Sequence, residues 1–367
     1  MTTTWASEVL PLFLELAAIP SPSGEEEAVA ARVRAYLRGL GIEAEDDEAG
    51  NLLARMPATV EGGEPIFLCA HLDTVPVHGP IEPLVEDGVV TNSAPAILGA
   101  DDKAAVAVLL ESARLLLAEG RPHAGIELLF TTREEIGLVG AFAFDTARLS
   151  ARLGFVYDYS GTVGDIVVAA PSGRVVDAIF TGRPAHAGIN PEDGRSAIVA
   201  AARAIVDLRL GRIDDETTAN VGVIEGGSAL NVVPAHCRLA LDVRSRDERK
   251  LASLVQDTLD SLAFAAAVTE CEVETTVQDK YRGYRLAPDD PALALARSAL
   301  ARAGLQPREV EVGGGADANV FNERGLHCVN LANGMANVHT ADEEIAVADL
   351  EAMVGVTLEL IAAAREA

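Results

Sequence analysis

Four groups of histidine or acidic residues stand where apolar runs break. His71 and Asp73 follow the run at 66–70, Glu134 and Glu135 follow 126–132, Asp158 follows 154–157, and Asp101 stands just before the Ala-, Val- and Leu-rich stretch 103–118. One such carboxylate alone is more often a helix cap or turn residue than a ligand. Four sites placed alike are poorly explained that way. Histidine mixed with carboxylate, without cysteine, suits borderline-hard divalent ions: zinc, manganese or cobalt. Crowded carboxylates repel one another unless cations neutralise them. Glu134 and Glu135 are adjacent, and neighbours cannot easily bind one ion. One can therefore ligate while the other moves protons, as an activated water between two metals requires.

The elements must bring these residues together. Continuous apolar runs at 66–70, 126–132 and 154–157 suit strands buried on both faces, and helices lie between them. That alternation predicts an α/β fold with a central, mostly parallel sheet flanked by helices, whose ligands bind beyond the carboxyl ends of the strands. An amphipathic helix is expected over 7–19, closed by Pro20, and Ser23 with Glu26 forms a capping-box pattern opening a helix toward residue 40. The character changes near Ser172. Strand-like runs at 175–181, 220–224, 237–243 and 273–277 surround helical stretches at 196–208 and 247–265. This β-α-β-β-α-β order predicts a small ferredoxin-like α+β domain. The expected organisation is a catalytic domain in two segments, 1–172 and 282–367, with a lid or dimerisation domain at 173–281 between them.

Composition narrows the partners. Twenty-nine basic against 56 acidic residues give a net charge of −27, which disfavours nucleic acid and anionic membrane. Cys69, Cys237, Cys271 and Cys328 are far apart and read as reduced thiols, not as a disulfide framework or thiolate cage. No run approaches the ~20 uncharged apolar residues of a membrane span. A soluble cytoplasmic protein is the expectation. The glycine run Gly313-Gly314-Gly315 lacks the Lys-Ser/Thr of a phosphate loop and the spacing of a dinucleotide fingerprint. His78, His123, His236 and His327 are assigned structural or solvent roles.

Three stretches carry a family resemblance: Ala70-His71-Leu72-Asp73-Thr74-Val75-Pro76, Gly99-Ala100-Asp101-Asp102-Lys103-Ala104 and Glu134-Glu135-Ile136-Gly137. In order and spacing they resemble the motifs of dinuclear-zinc exopeptidases and deacylases, a family that includes peptidase T, carboxypeptidase G, aminoacylases and succinyl-diaminopimelate desuccinylase. The resemblance runs from the Ile19–Gly24 stretch to Asn337-Val338-His339-Thr340. It implies two divalent ions per subunit, zinc foremost, with manganese or cobalt as alternatives. His71 with Asp158 would serve one ion and His339 with Glu135 the other, and Asp101 would bridge them. Asp73 would hold the far nitrogen of His71, and Glu134 would be the general base.

The resemblance also covers the middle of the chain. His186, within Gly182-Arg183-Pro184-Ala185-His186-Ala187-Gly188, would hydrogen-bond the oxyanion. Asn231 and Arg244 would bind substrate carbonyl and carboxylate, and Gly314 and Gly315 would present backbone N–H groups to it. Ala316 departs from the small hydroxyl residue often found there. Asp158, and the stretches 313–322 and 337–340, look closest to the peptidase T-like branch, in which Asp tends to replace the Glu ligand of carboxypeptidases. The resemblance thus implies an exopeptidase acting at the N-terminus of short peptides, in a homodimer formed through the inserted domain. A carboxypeptidase or N-acyl amino acid deacylase is the alternative. A non-catalytic binding protein should have lost ligands or base, and this chain has kept them.

Overall fold

A computed structural model describes residues 8–367. The chain divides into two compact units, one comprising 8–168, 285–311 and 316–367, the other Ala169–Tyr284 with Val312–Gly315.

In the first unit, the strands Ile66–His71 and Ile126–Thr131 are buried at every residue, as their unbroken apolar runs require. Both are central strands of a nine-stranded mixed sheet. Its core runs Ala44–Asp46, Leu52–Met56, Ile126–Thr131, Ile66–His71, Leu153–Tyr159, His327–Ala332 and Asp165–Ala170. Ile66–His71 pairs in parallel with both neighbours, and His327–Ala332 lies parallel to Leu153–Tyr159. The flanking pairs Leu52–Met56 with Ile126–Thr131, and His327–Ala332 with Asp165–Ala170, are antiparallel. The parallel centre aligns the carboxyl ends that carry His71, Glu134 and Asp158. The helix Ala100–Glu119 packs on this centre and is buried almost all round, which explains its lack of a polar face. Asp101 and Asp102 have non-helical dihedrals, so regular helix begins only beyond them.

Two features depart from expectation. The helix Glu27–Gly39 forms, but without a side-chain N-cap. Ser23 Oγ instead donates to Asp73 Oδ2 (2.7 Å), while Glu26 Oε1 accepts the N–H of Gly24 (2.8 Å) and of Arg133 (3.0 Å). The capping-box residues are diverted to the loop around Glu134. The second departure is a four-stranded antiparallel sheet of Pro83–Glu86, Val89–Asn92, Glu344–Ala346 and Met335–Ala336.

The second unit is a five-stranded antiparallel sheet in the order Gly211–Arg212, Thr217–Gly226, His236–Ser245, Ser172–Thr181, Glu272–Tyr281. Its four long strands have the ferredoxin-like arrangement. Burial alternates along His236–Ser245, because one face is covered by the helices Ala197–Asp207 and Glu248–Val268. Val176, Phe180, Leu239, Leu241, Leu251 and Leu262 lie in the core between them. Ser196 and Asp247 cap these helices through their side chains. Glu248–Val268 is also, among the described residues, the one helix long and apolar enough to cross a membrane, and here it packs on the sheet.

Candidate active site

The carboxyl ends of the central strands bring together six of the residues singled out from the sequence. Asp101 lies between two histidines: its Oδ1 is 3.1 Å from His71 Nε2, and its Oδ2 is 3.1 Å from His339 Nε2. His339 Nε2 is also 2.9 Å from Glu135 Oε1, and His71 Nε2 is 4.0 Å from Asp158 Oδ1. Ligand atoms of His71, Asp101 and Glu135 lie within 4.8 Å of one another, as do those of His71, Glu134 and Asp158. Asn337 and His339 adopt left-handed backbone (φ 54° and 66°), an uncommon conformation for residues other than glycine.

Backbone placement rests on buried side chains. Asp73 Oδ1 accepts the Glu134 N–H (2.9 Å) and its Oδ2 the Glu135 N–H (3.1 Å). Asp102 Oδ2 accepts the His71 N–H (3.2 Å), and Asn333 Nδ2 donates to Asp102 Oδ1 (3.1 Å). Asn330 holds Asp158 from both sides, accepting its N–H (2.9 Å) and donating to its carbonyl (2.7 Å). Asp102, Asn330, Asn333 and Glu26 were not marked as functional by the sequence. They are polar residues inside or beside ordinary motifs, and only the fold aims them at the backbones of the candidate ligands. Asp73 also differs in detail. The nearest partner of His71 Nδ1 is the Asp73 carbonyl oxygen at 2.9 Å, with the carboxylate at 3.5 Å.

That carbonyl can only accept, so Nδ1 carries the proton and a neutral His71 turns its Nε2 lone pair toward the Asp101 carboxylate. Two electron-rich atoms 3.1 Å apart repel unless a proton or cation lies between them. Glu135 Oε1 is buried and accepts no hydrogen bond, despite its approach to His339. The electrostatics agree. Burial pushes the carboxyls of Glu134 and Asp158 well above the usual range, reinforced by Asp158 in the first case and Asp101 in the second. Burial opposes ionisation of Asp101, but a proton held between it and His339 or His71, where no cation takes its place, keeps its carboxyl well below the usual range. Asp101 and Glu135 raise His339 to about 10. The site has more negative charge than two histidines can balance, and its N and O donors fit divalent cations.

The remaining candidates belong to the second unit. His186 is exposed, and its Nδ1 accepts the Gly188 N–H (3.1 Å). A neutral His186 therefore presents Nε2–H as a donor. Asn231 is beside it: Ala187 N–H donates to the Asn231 carbonyl (2.9 Å), and His186 pairs with Val232. Arg244 lies elsewhere. It is eight residues along the strand from the His236 end, which at about 3.3 Å per residue is roughly 26 Å. Its Nε donates to Asp242 Oδ1 (2.6 Å), and with Arg212, Asn220 and Gly313 it lines a groove of about 480 Å³. The sheet thus joins His186 with Asn231 and leaves Arg244 at its other end. Gly315 lies against Tyr281, where a β-carbon would fall 2.5 Å from the ring, while Gly314 is open. His78 is exposed, and His327 Nδ1 is 2.8 Å from Asp290 Oδ2.

Fold and side chains together define a metallohydrolase. Residues 172–269 match the M20 peptidase dimerisation domain, and residues 51–170 match peptidase family M28. YqjE of Bacillus subtilis strain 168 is 36% identical, over 93% of this chain and 94% of its own length. The crystal structure of the aminopeptidase PepT from Bacillus cereus is similar at 36% identity and TM-score 0.86, covering 97% of this chain and 98% of that one. A tripeptidase from Staphylococcus aureus is similar at 33% identity and TM-score 0.91, covering 98% of each chain. The chain belongs to the M20 family of metallo-exopeptidases, within its peptidase T-like branch.

Proposed function

We propose that the protein is a cytoplasmic aminopeptidase that releases the N-terminal residue of short peptides, tripeptides among them. The observation that carries the metal-dependent chemistry of this reading is the division of the two Asp101 oxygens between His71 and His339, which would let one carboxylate serve both ions. The names of the PepT and tripeptidase relatives support the substrate class, and the free cysteines suit a reducing compartment.

His71, Asp101 and Asp158 would hold one ion, and His339, Asp101 and Glu135 the other, with zinc preferred for this donor set. Bound there, the ions supply Lewis acidity to the scissile carbonyl and acidify the attacking water. Glu134, fixed through its N–H by Asp73, takes the proton of that water and delivers it to the leaving amine. Its burial raises its proton affinity, which suits a group that must both accept and return a proton. His186 donates Nε2–H to the oxyanion. Asn231 and Arg244 bind the peptide carbonyl and terminal carboxylate, and Gly314 and Gly315 offer backbone N–H groups. Residues 1–172 and 282–367 would form the catalytic domain, and 173–281 a lid through which two copies pair.

The test is to strip the protein with chelator, reload it with Zn(II), Mn(II) or Co(II), and offer matched tripeptides with free or acetylated N-termini. Metal-dependent release of the first residue from the free amine is expected, with little turnover of the acetylated peptide. Preference for the acylated substrate would make it a deacylase instead.

A further inference from the structure

Glu343 stands four residues beyond His339 and is 2% exposed. Its carboxylate grips the turn that carries Asp101: Oε2 accepts the Gly99 N–H (2.7 Å) and Oε1 the Asp101 N–H (2.9 Å). The turn needs such an anchor, because Gly99 is left-handed (φ 78°) and Asp101 is outside the helical range (φ −81°, ψ 103°), so no regular helix holds it. Glu343 is itself fixed, since the next residue begins the strand Glu344–Ala346, paired with Val89–Asn92. Buried Lys103 reaches the same turn. Its Nζ lies 3.3 Å from where a β-carbon on Gly99 would be, and it donates to the Ile19 carbonyl (2.5 Å). Isolating a carboxylate from water is costly unless its hydrogen bonds are made. Here both oxygens are engaged, each by a backbone amide of the Asp101 turn.

We propose that Glu343 is a positioning residue for the metal pair, cross-linking the Asp101 turn to the segment that presents His339. The inference rests on the reading of Asp101 as the ligand shared by both ions. Asp101 Oδ2 and His339 Nε2 approach to 3.1 Å, and Glu343 ties together the two backbones from which they project. Release of that tie lets the shared carboxylate drift relative to both histidines, so both ions loosen together. A structural carboxylate elsewhere should not do this. Glu127 is the control: 3% exposed, it accepts the N–H groups of Ser150 (3.0 Å) and Ala151 (2.9 Å) and pairs with Arg55 (3.3 Å), and it faces none of the proposed ligand backbones.

Glu343→Gln keeps the size of the side chain but sets an amide donor against one of the two N–H groups; it is preferred to Glu343→Ala, which could fail to fold. Metal-free parent, Glu343→Gln and Glu127→Gln are titrated with Co(II) against a chromogenic chelator, with thermal unfolding recorded for each metal-free protein. Glu343→Gln is expected to weaken both Co(II) sites by about 10–100-fold, the usual scale for partners of metal ligands. Glu127→Gln should lose comparable thermal stability with its Co(II) affinity unchanged. At saturating Co(II), peptide KM in Glu343→Gln should stay near that of the parent. Affinities within about twofold of the parent, or an equal loss in Glu127→Gln, would overturn the proposal. A parent that binds two Co(II) ions but cleaves no peptide would sink the peptidase reading alone. A parent that binds none would sink both.

Discussion

Glu134 and Glu135 share a peptide bond yet face different neighbours, and Asp73 explains how. Each oxygen of its buried carboxylate takes one of the two backbone N–H groups, so the loop is pinned where the side chains diverge. Glu135 reaches His339, while Glu134 groups with His71 and Asp158. The geometry alone would allow Glu134 to ligate, and one substitution separates ligand from base. Glu134→Gln preserves shape and removes the proton acceptor. It is expected to lower kcat by at least ~10²-fold with metal content intact by element analysis. Loss of one equivalent of metal would instead make Glu134 a ligand, and near-normal turnover would remove it from the reaction.

Element packing is tight enough that one methyl group should be felt. Gly154, in the strand Leu153–Tyr159, lies against the Phe67 ring of the strand that ends in His71; an added β-carbon would fall 2.0 Å from it. Phe67 cannot easily retreat, since its other contacts include Phe321, edge-on at 5.2 Å. Gly154→Ala should therefore cost about 1–3 kcal/mol by overpacking. For a unit of this size, that lowers the thermal midpoint of the metal-free protein by several degrees, at roughly 2–4 °C per kcal/mol. An unchanged midpoint would show that the strand yields freely. The same strands were the most legible part of the sequence, because unbroken apolar runs have few other uses. The hairpin at Asp87-Gly88 was missed, although both residues are left-handed (φ 50° and 81°) and Asp-Gly favours this turn. Its strands, Pro83–Glu86 and Val89–Asn92, are four residues each and mostly outside the core, so they leave little apolar pattern. The Ser23–Glu26 signal misled for another reason: both side chains had longer-range partners around Asp73 and Arg133. The candidate metal ligands were legible from chemistry and strand ends, and the fold brings them together. The side chains that hold their backbones were not, because hydrogen bonds across the fold leave no local spacing to read.

At the scale of the whole molecule, the proposed roles of Arg244 and His186 bear on how many chains build one site. The chain enters this unit at Ala169 and leaves it at Tyr284, next to the Ser172 and Tyr281 ends of their strands. Arg244 pairs opposite Gly173 at that end, whereas His186 and Asn231 cluster at the other end, beyond Thr181 and His236. If Arg244 holds the substrate as proposed, that substrate is roughly 26 Å of strand away from the His186 of the same unit. Pairing two copies through their dimerisation domains offers a way round, with each His186 serving its partner's site. In that arrangement Nε2–H, left free by the Gly188 contact to Nδ1, supplies the oxyanion donor in trans. His186→Ala should lower kcat by about 10²–10³-fold with the metals retained. Mixing inactive Glu134→Gln with inactive His186→Ala and allowing subunits to exchange then tests the geometry. A heterodimer assembled in trans contains one site with both Glu134 and His186 intact, and activity should reappear in proportion to heterodimer formed. If His186 serves its own chain, every site in the mixture lacks one of the two groups, so confirmed heterodimers without recovered activity would exclude the trans arrangement.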